Sequence, residues 1–238
     1  MIFDESSYLI REAMKIQSKS IVDHTFKYLE DMIIKGKLSP GQRIKEQEIS
    51  SQLGVSRPPI REAFKILEAE GLVKREPRRG VFVSEITKND IWEIYTLKIV
   101  LYTLAVTLAI DRISDNNIGK LEKIVVQMEN IVNDDSNPDI IKYEELNNLF
   151  HETTAAIAEH GRLKKMIQSL NNQIKRISYR SFTKAGHLQS SCRYHRQILE
   201  AIKIRDKTLA ERLTKEHIIR GLEVHKELDE EKRSVVHT

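Results

Sequence analysis

Residues Glu46 to Gly71, EQEISSQLGVSRPPIREAFKILEAEG, decide how the front of the chain is read. Gly54 suits the left-handed position just past a helix end, Val55 a buried linker and Ser56 the N-cap of a second helix. The stretch therefore predicts two short helices joined by a tight corner. In the second, Ile60, Ala63, Phe64 and Leu67 follow the i, i+3, i+4, i+7 spacing of one buried stripe, which leaves Arg57, Arg61, Lys65 and Glu68 outside. Pro58 and Pro59 lack N–H groups that a first helical turn does not need, so they set its entry rather than break it. Ser56 and the free N–H groups of that turn are then placed to hold a phosphate, with Arg57 and Arg61 beside it.

Working outward, Gly71 closes the helix, Leu72 to Glu76 reads as a strand, Pro77-Arg78-Arg79-Gly80 as a turn and Val81-Phe82-Val83 as the returning strand. The result is a wing with a basic tip. Upstream, Ile21, Val22, Thr25, Phe26, Leu29, Met32 and Ile33 form the apolar face of a helix ending near Gly36, and Pro40-Gly41 turns the chain into the central pair. Exposed arginines on a helix are commonly a solvated face, and winged helices also dock proteins. Here the cations lie in the first turns of the second helix and at the wing tip, the two places a groove-docked module uses.

The segment Ile33 to Val83, IIKGKLSPGQRIKEQEISSQLGVSRPPIREAFKILEAEGLVKREPRRGVFV, resembles without a gap the winged helix-turn-helix of the GntR family of bacterial transcription regulators. The resemblance implies that Arg57 and Arg61 contact DNA from the recognition helix, with Ser56 on a phosphate and Arg79-Gly80 reaching the minor groove. Lys65 and Arg78 extend the same basic surface. Gln47 stands where some relatives carry an arginine.

The 238 residues suffice for two modest domains, and the net charge is +4. From Lys15 to Glu85 there are 14 Lys or Arg against 10 Asp or Glu, and everywhere else 25 against 25, so the whole excess sits in the proposed DNA-binding part. One cysteine, Cys192, leaves no intramolecular disulfide and fits a reducing cytoplasm. The acidic start, Met-Ile-Phe-Asp-Glu-Ser-Ser, is not a secretory signal, and the longest apolar run, Ile99 to Ile110, is too short to span a bilayer, so no membrane association is expected and the run reads as a buried helix. The domain expectation is an N-terminal arm over 1–14, a winged helix-turn-helix over 15–85 and a helical effector- and metal-binding domain over 86–238.

Beyond Ile91 no alternating strands occur, and helices are expected from about Asp90 to Arg112, Asp115 to Val132, Pro138 to Glu159, Arg162 to Arg180, Leu188 to Ile204 and Lys207 to Glu230. Thr87 or Asn89 offers a cap for the first, and Asn133 to Asn137 and Gly186 mark the clearest breaks. The fold class is thus mainly α, a winged helix-turn-helix with a small β wing followed by an all-helical antiparallel bundle, whose ligand site lies between facing helices.

Asn147 and His151 are i, i+4 on one helix face. His195 and His217 lie about equally far from the turn near Arg205-Asp206, so antiparallel packing brings them level, roughly 15 Å along the axis from it. Three imidazoles with an amide oxygen or water suit a divalent ion such as zinc, nickel or manganese, with positions left for a small anion. Histidines are most often ordinary core or surface residues, and His24, His160, His187, His225 and His237 are read that way, His160 as a residue at a helix end. Asn147-Asn148-Leu149-Phe150-His151, then Tyr194-His195-Arg196-Gln197-Ile198-Leu199-Glu200-Ala201-Ile202, then Asp206 and His217 resemble the ligand-sensing FCD domain of the FadR subgroup. That resemblance implies Asn147, His151, His195 and His217 as metal ligands, Asn147 where the family often has aspartate. Lys98 and Tyr102 occupy places where the first effector-domain helix commonly shows Arg and Glu. A lysine offers a carboxylate a point charge instead of a planar fork. Arg176 and Arg180, one turn apart, are further candidates for anion contact or a solvated pair.

The expectation is a cytoplasmic transcription regulator, a repressor acting as a homodimer on a palindromic double-stranded DNA operator and controlled by a small carboxylate effector beside a divalent metal. A helical metalloenzyme and a winged-helix protein-interaction subunit are the alternatives. No hydrolase spacing such as His-Glu-x-x-His occurs, which favours a non-enzyme.

Overall fold

The computed structural model describes residues 21–134 and 138–236. The N-terminal arm and part of the break between Asn133 and Asn137 lie outside the described residues. The chain divides after Ile86 into two compact units.

The first unit opens with helix α1 through residues 21–34, followed by β1 (Arg43–Ile44), α2 (Glu46–Leu53), α3 (Arg57–Ala69), β2 (Val73–Glu76) and β3 (Gly80–Val83). Leu29 and Ile33 of α1, Ile49 of α2, Ile60, Phe64 and Leu67 of α3, and Val73, Val81 and Val83 of the strands close one core, which is the stripe the periodicity predicts. Gly54 holds φ at 65°, the left-handed conformation that lets α2 stop and the chain swing into α3. The Ser50 hydroxyl donates to the Val55 carbonyl at 2.8 Å and pins that corner.

The sheet is antiparallel in the order β1-β3-β2. Its first strand is a departure from the sequence reading, which runs a turn from Pro40-Gly41 straight into the helices. Arg43 pairs with Phe82 and Ile44 with Val81. Two residues carry no alternation to detect, so only the neighbouring strand reveals the pairing.

The second unit is all helix: α4 (Lys88–Arg112), α5 (Asp115–Val132), α6 (Ile140–Ile157), α7 (Gly161–Phe182), α8 (His187–Lys203) and α9 (Lys207–Val236). Thr87 begins it with a capping box, its hydroxyl accepting from the Asp90 N–H at 3.1 Å and its own N–H donating to the Asp90 carboxylate at 2.7 Å. At the other end of α4, Arg205 donates to the carbonyls of Ile110 and Ile113 at 3.0 Å each, closing carbonyls that a helix end leaves open. His160 sits at a helix start, not an end. It caps α7, its Nδ1 accepting from the Leu163 N–H at 3.2 Å, so the ring serves as an acceptor there.

Helix α4 organises this unit. At 25 residues it is long and apolar enough to cross a bilayer by length and composition, longer than the Ile99–Ile110 run alone, yet half of its most apolar stretch is buried in the protein. Ile91, Ile94, Tyr95, Leu101, Tyr102, Ala105, Val106 and Ala109 face inward, and α4 packs against α6, α7 and α9. That is a core helix. Its outer face is apolar as well: Trp92, Leu97, Val100 and Leu104 are exposed. Between them Thr96, Thr103 and Thr107 donate their hydroxyls back to the helix's own carbonyls at 2.7 to 2.8 Å, which leaves methyl groups outward.

The α4–α9 contact is close because of Gly221. A Cβ there would lie 2.9 Å from the Tyr95 Oη and 3.0 Å from its Cε1. Tyr95 is buried and set edge-on to His225 at 5.6 Å, so the ring has little room to retreat. Gly221→Ala is expected to cost about 1 to 3 kcal/mol in urea unfolding of the protein, the range of overpacked cores. A change within about 0.5 kcal/mol, typical of neutral substitutions, would show that the ring yields freely.

Candidate functional site

The first unit exposes one basic face. Arg57, Arg61 and Lys65 project from α3, away from the buried stripe. Both arginines are held from the first turn of α2: Arg61 Nε donates to the two carboxylate oxygens of Glu46 at 3.1 and 2.9 Å, and Arg57 donates to Gln47 Oε1. Lys65 pairs with Glu62 at 2.8 Å. Gln47 thus orients one of the two arginines.

Ser56 takes the backbone conformation of an N-cap, φ −65° and ψ 161°, but its side chain makes no capping bond. The groups that would donate to it are the amides two and three positions on, and Pro58 and Pro59 have none. The same prolines correct the expectation of several free N–H groups in this turn, since those two positions offer no donor. The Ser56 hydroxyl is instead left exposed at the helix entry beside Arg57.

At the wing tip Arg78 adopts φ 63° and Gly80 φ 112°. Arg79 pairs with Glu76 and lies over the Phe82 ring at 5.3 Å. Arg43 Nε lies 3.1 Å from where a Gly80 Cβ would stand. This arginine is a basic residue at the wing that the sequence pattern does not reveal, because only the pairing of β1 with β3 brings it there. A side chain at position 80 would displace it.

In the second unit, α6, α8 and α9 bring His151, His195 and His217 together, with candidate ligand atoms all within 4.8 Å of one another. The ring centroids are 4.5 to 5.6 Å apart, and none of the three is more than 5% exposed. The level placement of His195 and His217 follows from the near-symmetric spacing about the α8–α9 turn. Phe150 packs edge-on against His151 and His195, Tyr102 stacks on His151 at 4.5 Å, and Tyr194 borders His217 at 5.7 Å. His195 Nδ1 lies 2.8 Å from the Ser191 carbonyl. A carbonyl only accepts, so Nδ1 carries the proton and Nε2 presents its lone pair.

Burial lowers the pKa of all three imidazoles, that of His195 to about 4, and the charge of Lys98 pushes the same way. They are therefore neutral near pH 7, the form that binds metal. Four buried acceptors, His151 Nε2, His195 Nε2, His217 Nδ1 and Asn147 Oδ1, have no hydrogen-bond partner among the described residues. A protein interior rarely leaves such atoms unpaired, and their chemistry, nitrogen with one amide oxygen, fits a borderline divalent ion.

Lys98 and Tyr102 lie on α4 and both are buried. Burial lowers the Lys98 pKa to about 8 against the opposing charge of Glu144, and its Nζ lies 5.5 Å from the rings of Tyr95 and Tyr102. Tyr102 Oη, Asn148 Oδ1 and Thr214 Oγ1 are also buried without a partner among the described residues. Arg176 and Arg180 have different surroundings. Arg176 is buried, while Arg180 donates to Asp229 at 2.6 Å and so already has its carboxylate. His187 and His225, read from sequence as ordinary, are both buried in the bundle, and burial lowers each pKa to about 4.

Comparison with known proteins agrees with this architecture. Residues 21–83 match the bacterial regulatory proteins of the gntR family, and residues 93–220 match the FCD domain. The HTH-type transcriptional regulator YdhC of Bacillus subtilis is 33% identical over 195 residues, 82% of this chain and 84% of that protein. The HTH-type transcriptional repressor RspR of Escherichia coli is 25% identical over 81% of this chain and 83% of its own length. The gluconate operon transcriptional repressor of Bacillus subtilis is 27% identical over 74% and 73%. Among solved structures, Escherichia coli McbR/YncC superposes with a TM-score of 0.74 at 20% identity, covering 87% of this chain and 98% of that one. A putative GntR regulator from Rhodococcus sp. RHA1 gives 0.68 at 22% identity, over 87% and 98%. Two domain matches in the expected order, each on the unit whose residues predicted it, lead to one conclusion: the chain belongs to the GntR family of bacterial transcription regulators and carries an FCD domain behind its helix-turn-helix.

Proposed function

We propose that this regulator is a cytoplasmic repressor that binds a palindromic operator as a homodimer and is controlled by a small carboxylate bound beside a divalent metal in the FCD domain. The observation that carries the sensing part is the set of four unpaired buried acceptors on α6, α8 and α9. A core that only needed to be stable would have apolar or satisfied groups there. His151, His195, His217 and Asn147 are the proposed ligands. Zinc, nickel or manganese held there supplies a Lewis-acidic centre with positions left for an anion.

Lys98, Tyr102 and Arg176 are the proposed effector contacts, as buried polar groups that a carboxylate can approach. Arg180 is the weaker candidate because Asp229 already occupies it. Glu152, the carboxylate next to His151 in sequence, accepts from Asn148 and Asn171 through Oε1, which favours a receptor over a hydrolytic centre. DNA contact is assigned to Ser56, Arg57, Arg61, Lys65, Arg78, Arg79 and Gly80, with Arg43 added beside the wing. The repressors among the relatives support repression as its mode of action. The homodimer is supported by the outward apolar face of α4, an exposed patch of the kind that marks an interface.

The test is metal analysis of the purified protein. Wild type is expected to hold about one equivalent of divalent ion, and His151→Ala, His195→Ala and His217→Ala each to lose most of it, since each imidazole is one of only a few protein donors to the ion. Equal metal content in all three variants would remove the site.

A further inference from the structure

We propose that the core of the helical unit holds a second binding site, built by His187, Ser191, His225 and Tyr143, for the uncharged hydroxyl end of an elongated carboxylic acid. The inference rests on the carboxylate reading above and extends it to the class of acid. On α8, His187, Ser191 and His195 recur every four positions, and on α9 so do His217, Gly221 and His225. Each set runs along one side of its helix, and α8 packs on α9. The antiparallel pairing that levels His195 with His217 therefore also levels His187 with His225, eight residues or roughly 12 Å farther from the turn. Ser191 and Gly221 fall halfway between the two pairs. Tyr95 fills the Gly221 side, so the path from one pair to the other runs past Ser191.

His187 Nδ1, Ser191 Oγ, Tyr143 Oη and both ring nitrogens of His225 have no hydrogen-bond partner among the described residues, although none of the four residues is more than 4% exposed. Tyr143 and Ser191 lie near enough to influence each other, and the Ile177 backbone approaches the His225 ring, yet neither contact closes a bond. Buried polar atoms left this way are costly unless something meets them. The second histidine pair is not another metal centre, because among the described residues only His151, His195 and His217 converge as three ligands. Nor does it suit a second carboxylate. Burial keeps both imidazoles neutral near pH 7, Arg220 is paired with Glu223 and Glu227, and Arg180 with Asp229. Lys98, whose charge reaches His187, is opposed by Glu144. What remains is a set of neutral donors and acceptors between aromatic walls, with Phe182 stacked on His187 at 5.4 Å and Tyr95 edge-on to His225. A hydroxyl, donor and acceptor at once, matches that set.

Calorimetry on the purified full-length protein tests this with butanoate, hexanoate and octanoate, each beside its ω-hydroxy acid and its dicarboxylate. In the hexanoate or octanoate set the hydroxy acid is expected to bind about tenfold tighter, or more, than both counterparts, because a site that hydrogen-bonds a hydroxyl discriminates against analogues lacking it. The butanoate set, too short for a span of roughly 12 Å, should show no such preference. Ser191→Ala and Tyr143→Phe each delete one unpartnered oxygen. Each should lower hydroxy-acid affinity about fivefold, leave that of the plain acid as it was, and not reduce the melting temperature of the protein without added acid. Hydroxy acids that never outbind their plain counterparts overturn the second site, whose polar atoms then meet water only. A dicarboxylate that binds tightest overturns its neutral character, and a hydroxyl preference that survives both substitutions and His225→Phe places the hydroxyl elsewhere. Plain acids that bind as well as hydroxy acids leave the carboxylate reading standing alone, whereas no binding by any of the acids removes both.

Discussion

Arg61→Ala is expected to weaken binding to the operator, recovered by selection from a random duplex pool, by about 1 to 3 kcal/mol per half-site. On a two-fold operator both recognition helices lose the contact, so the total is about 2 to 6 kcal/mol, or roughly 30-fold to 20,000-fold in Kd. Fluorescence anisotropy at fixed salt reads it. Three effects compete. The Arg61 side chain is 57% exposed, so removing it leaves no cavity and the melting temperature should hold. Its ion pair with Glu46 must loosen when DNA arrives, but an exposed pair is worth only about 0 to 1 kcal/mol, too little to cancel a base contact. A phosphate contact would behave differently, reducing the salt slope by about 1 and weakening all sequences alike. Operator affinity that survives Arg61→Ala unchanged would refute α3 as the reading element.

Substituting Val100→Asp and Leu104→Asp together should yield a folded monomer. Both positions are exposed, 61% and 43%, on the outer face of α4, while the inner face of the same helix remains the core of the bundle. In the proposed dimer each aspartate occurs twice by symmetry and would be buried against an apolar surface, at several kcal/mol per ion. Dissociation should strengthen by roughly 100-fold or more. Sedimentation equilibrium reads the assembly state, and the operator assay should show the loss of one half-site's contribution. A variant that remains dimeric with native operator affinity would place the interface on another surface.

The legible parts of this protein are those in which neighbours in sequence are neighbours in space. The i, i+3, i+4 spacing of Ile60, Ala63, Phe64 and Leu67 is a statement about one helix, and so is the pairing of Asn147 with His151. Gly54 fixes the corner because its left-handed φ is a property of a single residue. The Thr87 capping box spans four residues. What escaped the sequence involved partners far along the chain. Arg43 reaches the wing only through β3, and Glu46 holds Arg61 only because the corner folds α2 back toward α3. Asp229 claims Arg180 from another helix, which separates it from Arg176.

By itself, then, the sequence determined a winged helix-turn-helix followed by a helical bundle, because backbone propensity, hydrophobic period and turn chemistry are local. It also ranked three histidines above the other five through their spacing and their family resemblance. The tertiary structure decided the rest: which polar atoms are buried without partners, which arginines are already paired, and which face of α4 remains apolar and uncovered. Those properties depend on desolvation and on side chains converging from separate helices, quantities that no stretch of chain contains on its own.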